Sequence, residues 1–178
     1  MNSSFLFVIM LVLRICGEQN VANRRYITAV HEGAHVLALW RSRYGDKVES
    51  VTVERTATTF GRTMFWAKRW YTPDQLFSRL IASIAGEEAE IMFFNQGPPP
   101  EGLKTDQTEM DDVALTWIHH FYENSHDVAP FVVPVRYRTT AQGRLMMAQL
   151  IAKARRTFRE AFGTEESRQC LRMVNFNN

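Results

Sequence analysis

His31-Glu32-Gly33-Ala34-His35 forms an H-E-x-x-H motif, a spacing that suits a zinc site on an α-helix. A helix turns once every 3.6 residues or so, and side chains four positions apart therefore lie on one face. Two imidazoles placed in this way can bind a single zinc ion. Glu32 follows the first histidine, where it can act as general base toward a water on the metal. The motif therefore predicts a helix with His31 and His35 as zinc ligands and Glu32 as the catalytic residue.

The residues around the motif extend this helix over about 23–43, ending near Gly45. Its predicted apolar stripe consists of Tyr26, Ile27, Val30, Ala34, Leu37, Ala38 and Trp40. Two β-like stretches follow, one containing Val48, Val51 and Val53 and the other at 61–66. Because a short Thr-rich connection joins them, we expect an antiparallel pair beside the motif helix.

Three more helices are predicted. The first has an N-terminal capping box in which Thr72 is the cap, Pro73 takes the first helical position and Gln75 bonds back. Its expected buried face consists of Leu76, Leu80, Ile84 and Ile91, and the stretch 95–98 ends it. After a loop at 97–105 a helix spans about 106–124, and after a loop at 128–138 the last runs from about 139 to 162. The chain is therefore expected to be α+β and mostly helical, with a small antiparallel β-sheet.

Length and composition indicate one ordinary globular domain of 178 residues. We divide it into an apolar N-terminal segment at 1–22, a zinc-site domain at 23–163 and a loosely held tail at 164–178. A net charge of +2 is too small to indicate nucleic acid as a partner. Cys16 and Cys170 lack the spacing of a metal cluster or a disulfide framework, which favours a reducing, cytoplasmic location.

The first residues leave several interpretations open. Residues 5–13 are apolar without interruption, but a membrane span needs about 20 such residues. The segment 5–16 could pack as a helix on the domain or on a partner, serve as a secretory signal, or contact a membrane surface. Its start could also be misassigned. A membrane-associated or exported location therefore stays open beside the cytoplasmic one.

A catalytic zinc site usually has three protein ligands, and spacing alone does not select the third. His119 and His120 cannot both face one metal, because neighbouring residues on a helix diverge by about 100°. The other candidates are His126, Glu54, Glu87, Glu88, Glu90, Asp106, Glu109, Asp111 and Asp112.

The motif and its surroundings resemble the peptidase domain of FtsH-type proteases, the membrane-bound AAA+ zinc metalloproteases, where the motif usually reads H-E-A-G-H-A. Five further blocks follow in the family's order. V-T-V at 51–53 and G-R-T-M-F at 61–65 are similar to V-T-I and G-V-T-M-F. Y-T-P-D-Q-L at 71–76, A-G-E-E-A-E at 85–90 and G-L-K-T-D at 102–106 are similar to Y-S-K-E-E-L, G-G-R-A-A-E and G-A-S-N-D. The resemblance covers about 23–124 and implies an FtsH-type peptidase fold.

This resemblance implies roles for particular residues. Asp106 stands where the family has its third zinc ligand, so one Zn²⁺ per chain is expected. Glu90 stands where the family has a helix carboxylate, for which we predict the role of orienting a ligand histidine. The expected edge strand for substrate consists of Gly61, Arg62, Thr63, Met64 and Phe65.

The sequence departs from the family in three ways. Gly33-Ala34 reverses the usual Ala-Gly, and Ala85 and Glu87 stand where the family has Gly and Arg. The 178 residues also contain no G-x-x-x-x-G-K-[ST] loop, so no ATPase module is expected in them.

The expected function is that of a zinc-dependent endopeptidase that acts on unfolded or flexible polypeptides without its own ATPase. Three alternatives stay open: a zinc-binding regulator without turnover, a hydrolase of a non-peptide amide, and a module that docks onto a separate ATPase or protease chain. Expected partners are a polypeptide substrate and either a separate ATPase or further copies of this chain, but no nucleic acid.

Overall fold

The computed structural model describes residues 19–54, 61–69, 71–94, 103–122, 140–165, 167 and 169. In chain order they form α1 (Gln19–Arg41), β1 (Lys47–Thr52), β2 (Arg62–Trp66), α2 (Pro73–Phe94), α3 (Leu103–Tyr122) and α4 (Ala141–Phe162). The prediction of a mostly helical α+β chain with a small antiparallel sheet is confirmed for this part of the chain. Several predictions concern positions outside the described residues. They are those for residues 5–16, the connection between the strands at 55–60, the loop at 128–138, Cys16, His126 and Cys170.

The helix starts follow from capping chemistry. At the start of α2 the Thr72 N–H donates to Gln75 Oε1 at 2.9 Å, and the Gln75 N–H donates to Thr72 Oγ1 at 3.4 Å. This pair is the predicted capping box. At the start of α4 the Gly143 N–H donates to Thr140 Oγ1 at 3.1 Å, so Thr140 is the N-cap of that helix.

Helix α2 lies at the centre of the fold and packs against α1, α3 and α4. Its buried residues include Leu76, Leu80 and Ile84, as predicted, whereas Ile91 near its end is only half-buried. The other fully buried side chains of this core include Val30 and Ala34 of α1, Val113 and Ile118 of α3, and Phe158 of α4. Because α2 contacts each of the other three described helices, a residue on α2 can set the position of side chains on any of them.

The sheet consists of β1 and β2 in antiparallel register, with Val51 opposite Thr63 and Lys47 opposite Trp66. An irregularity in the register lies between Val48 and Ser50. β2 also contacts α1, the helix with the H-E-x-x-H motif. Among the described strands β2 has β1 on one side only, so its other edge is unpaired within this part of the structure.

Three details of the sequence-based interpretation are corrected. Trp40 is 58% exposed, because it lies two residues beyond buried Ala38, which turns it about 200° away from the core. Helix α3 begins at Leu103, so Asp106 lies in its first turn rather than at its start. The first residues of the tail are held by the domain, since Ser167 is buried and its Oγ accepts a hydrogen bond from Arg41 Nη1 at 3.0 Å.

Among the described helices, none has both the length and the apolar character that crossing a lipid bilayer requires.

Candidate metal centre

Three side chains from two helices converge at one point. His31 and His35 lie one turn apart on α1, and Asp106 reaches them from the first turn of α3. Asp106 Oδ2 lies 2.8 Å from His31 Nε2 and 3.6 Å from His35 Nε2. The potential ligand atoms of the three residues all lie within 4.8 Å of one another. Within the described part of the chain, these three form the group of His, Cys, Asp or Glu side chains whose donor atoms are close enough together to hold a metal ion.

The Nδ1 atoms of both imidazoles, which are the nitrogens not facing Asp106, are held by hydrogen bonds. His31 Nδ1 donates to Glu90 Oε1 at 2.6 Å, and His35 Nδ1 donates to the Ala82 carbonyl oxygen at 2.6 Å. Glu90 and Ala82 both belong to α2. Since each Nδ1 carries a proton for these bonds, the neutral form of each ring leaves the Nε2 lone pair for a metal. Two such nitrogens and a carboxylate oxygen are a donor set that fits zinc.

Electrostatics at this point favour a cation. Burial lowers the pKa of His31, but its hydrogen bonds to Asp106 and Glu90 outweigh burial and raise the pKa to about 10. Burial likewise lowers the pKa of His35, and the bond to Asp106 reverses this into a net rise. Burial raises the pKa of Asp106, whereas the two histidines lower it well below its usual range. The carboxylates therefore create a negative environment that attracts positive charge between the three side chains.

Gly86 allows His31 to occupy this position. A Cβ at Gly86 would come within 2.4 Å of both His31 Nε2 and Cε1, so the imidazole lies directly against the α2 backbone. No larger residue fits here unless the ring moves. Sequence reasoning did not assign this role, although a glycine inside a predicted helix is a signal of close packing.

Gly86→Ala should therefore weaken zinc binding. The added methyl group displaces the His31 ring, and we expect zinc affinity to fall by at least about 10-fold. Gly143→Ala, the same change in the first turn of α4, is the control and should leave zinc affinity unchanged. Zinc titration by isothermal calorimetry measures both, and equal affinities in the two variants would contradict this role of Gly86.

Glu32 lies beside the three converging residues but points to the sheet. It is only 6% exposed, and its Oε2 accepts a hydrogen bond from the Thr63 hydroxyl of β2 at 2.6 Å. Side chains of β2 alternate: Thr63 and Phe65 are half-buried, whereas Arg62 and Met64 are exposed. Of the predicted edge-strand residues, Thr63 donates to Glu32, and a Cβ at Gly61 would come within 2.8 Å of Glu32 Oε1.

The other described ligand candidates lie elsewhere. His119 and His120 stand near the end of α3, about 20 Å along the helix from Asp106. Glu87 and Glu88 face α4, where Arg155 donates to both of them. Glu87 thus ties α2 to α4. Glu109 accepts from Arg79 instead of turning to the histidines.

A buried arginine holds the surrounding elements together. Arg79 of α2 donates to Asp46 Oδ2 at 2.8 Å, to the Tyr71 hydroxyl at 3.0 Å and to Glu109 Oε1 at 2.9 Å. Its guanidinium carbon also lies 4.1 Å from the centre of the Phe65 ring. Because Glu109 follows Asp106 by about one turn, this cluster connects the start of α3 with β2. The sequence analysis did not identify it, since its members are far apart in the chain.

Comparison with known proteins gives a limited similarity. No protein-family model matches the chain. The ATP-dependent zinc metalloprotease FtsH of Corynebacterium glutamicum is 29% identical over 114 residues, which is 62% of this chain and 12% of that protein. The chain therefore spans about an eighth of the length of this curated relative.

Proposed function

We propose that this chain is a zinc-dependent endopeptidase of the FtsH-like type, which hydrolyses peptide bonds in unfolded or flexible polypeptides. The observation that carries the proposal is the convergence of His31 Nε2 and His35 Nε2 on Asp106 Oδ2, with Glu32 beside them. These three residues would hold one zinc ion. When bound, zinc supplies Lewis-acid polarisation of the scissile carbonyl and lowers the pKa of water to about 7.

Glu32 is the proposed general base. It takes a proton from the attacking water and returns it to the leaving amine. The side chain is suited to this role because it is buried next to the proposed ligands, yet none of its hydrogen bonds joins it to His31, His35 or Asp106 in the described contacts. Glu90 and the Ala82 carbonyl hold the two imidazoles in the tautomer that ligation needs.

The proposed place for substrate is the edge of β2 that no described strand covers. An extended polypeptide can add to such an edge through its backbone N–H and C=O groups. Trp66, which is 61% exposed, and the exposed Met64 offer apolar contacts to its side chains. Because backbone pairing needs an extended segment, folded proteins should be poor substrates, and cleavage preferences should be broad.

The similarity to FtsH supports the zinc and protease parts of this proposal, since that protein is described as an ATP-dependent zinc metalloprotease. The ATP dependence is not carried over, because the matched region is a small part of that protein and the 178 residues contain no phosphate-binding loop motif.

The purified 178-residue chain should cleave casein when loaded with zinc, and the rate should be the same with and without ATP. A stably folded protein of similar size should stay intact, because nothing in the proposed mechanism unfolds it. Gel electrophoresis with mass spectrometry of the products measures both. Degradation of the folded protein, or cleavage that requires added ATP, would contradict the proposal.

A further inference from the structure

We infer that Thr63 is a positioning residue for the general base, and that β2 makes the two oxygens of the Glu32 carboxylate unequal. Thr63 holds Oε2, and Gly61 lets the backbone before β2 run close to Oε1. The inference rests on the proposed function, and it assigns a role to a residue that is not one of the proposed metal ligands.

The hydroxyl of Thr63 has two acceptors within reach and one proton to donate. Its Oγ1 lies 2.6 Å from Glu32 Oε2 and 3.4 Å from the Glu32 backbone oxygen. A hydrogen bond to a carboxylate is shorter and stronger than one to a neutral acceptor. The hydroxyl proton is therefore donated to Oε2, and this bond ties that oxygen to β2.

Thr63 is itself held in place by the strand. It lies opposite Val51 in the β1–β2 register, and Phe65, two residues on, packs against the guanidinium of Arg79. A threonine side chain also has few rotamers, because it is branched at Cβ. The hydroxyl is thus a fixed donor, and Glu32 adopts the position that the donor dictates.

Gly61 lies next to the other carboxylate oxygen, Oε1 of Glu32. A Cβ at this position would come within 2.8 Å of Glu32 Oε1 and within 2.5 Å of Thr28 Cγ2. Only glycine therefore lets the backbone before β2 run this close to the carboxylate. The strand whose edge is the proposed substrate site would thus also fix the orientation of the base.

Thr63→Val replaces the hydroxyl with a methyl group of nearly the same size and tests this directly. We expect kcat for a peptide substrate to fall by about 10–100-fold, with KM and zinc stoichiometry near wild type. Thr63→Ser, which keeps the hydroxyl, should restore most of kcat. Thr63→Ala, which removes it without adding bulk, should show the same loss as Thr63→Val and replaces it if the valine variant does not fold.

Thr52→Val is the matched control in the neighbouring strand. The Thr52 hydroxyl oxygen accepts only the Glu54 N–H among the described bonds, so its loss should leave kcat unchanged. A kcat within twofold of wild type in folded Thr63→Val or Thr63→Ala would overturn the inference, as would a failure of Thr63→Ser to restore it.

Crystal structures of zinc-loaded wild type and Thr63→Val give a second, activity-independent result. The inference predicts that the Glu32 carboxylate leaves its wild-type position in the variant; an unchanged carboxylate would overturn it. If wild type with one zinc per chain hydrolyses no peptide, the proposed function fails, while these structures still decide whether Thr63 positions Glu32.

Discussion

Glu32→Gln should lower peptide hydrolysis by at least about 100-fold while zinc content stays near one per chain. The amide keeps the size of the carboxylate but cannot accept the proton of the attacking water, and general-base assistance contributes about 10²–10⁴-fold. The imidazoles and Asp106 do not depend on Glu32 for their hydrogen bonds, so the proposed metal site should persist. Initial rates on a fluorogenic peptide and metal analysis of the same sample measure the two effects.

Two results would change the interpretation of Glu32. A fall in zinc content in Glu32→Gln would mean that Glu32 is a ligand, and Thr63 would then hold a ligand rather than a base. Retained hydrolysis with zinc bound would mean that another group takes the proton. Melting temperature serves as the control for folding, because the amide can still accept the Thr63 hydrogen bond.

Asp106→Ala should remove stoichiometric zinc and hydrolysis together. Two imidazoles alone hold zinc weakly. Removing a residue that hydrogen-bonds to a metal ligand lowers metal affinity by about 10–100-fold, and we expect a larger loss here because the ligand itself is removed. Asp111→Ala and Asp112→Ala are matched controls on the same helix and should leave zinc affinity unchanged. Calorimetric titration of the metal-free proteins with zinc measures all three.

If Asp106→Ala keeps full zinc affinity and activity, Asp106 is not the third ligand. Glu90 would be the next candidate, because its Oε1 already lies 2.6 Å from His31 Nδ1. In that case His31 would have to present its other nitrogen to the metal.

The parts of the fold that could be predicted from the sequence are those determined by residues close together in the chain. The spacing of His31 and His35 places both on one face of any helix, and α1 is a helix because its apolar residues recur with the same period. The capping box at Thr72 and Gln75 is likewise a contact between residues three positions apart. Such features depend little on the rest of the chain.

The third converging residue could not be found in this way. Asp106 is separated from His31 by 75 positions, and its location depends on how α2 and α3 pack. The sequence offered several equivalent carboxylates, and only the family resemblance favoured Asp106 among them. The structure places Asp106 at the histidines and directs Glu88 and Glu109 to arginines.

Two other contacts could not be predicted from the sequence, for a related reason. The closeness of Gly86 to His31 and the bond from Thr63 to Glu32 join residues on different elements, and neither residue carries a charge that would mark it. Trp40 shows the reverse problem, because its apolar character suggested burial while its angular position on α1 turns it to solvent.

The most direct test of the central claim is to measure zinc per chain and casein hydrolysis on the same preparations of wild type, Glu32→Gln and Asp106→Ala. The account predicts one zinc with hydrolysis, one zinc without hydrolysis, and neither zinc nor hydrolysis, in that order. Wild type that binds one zinc and cleaves nothing would contradict the account and favour a zinc-binding regulator.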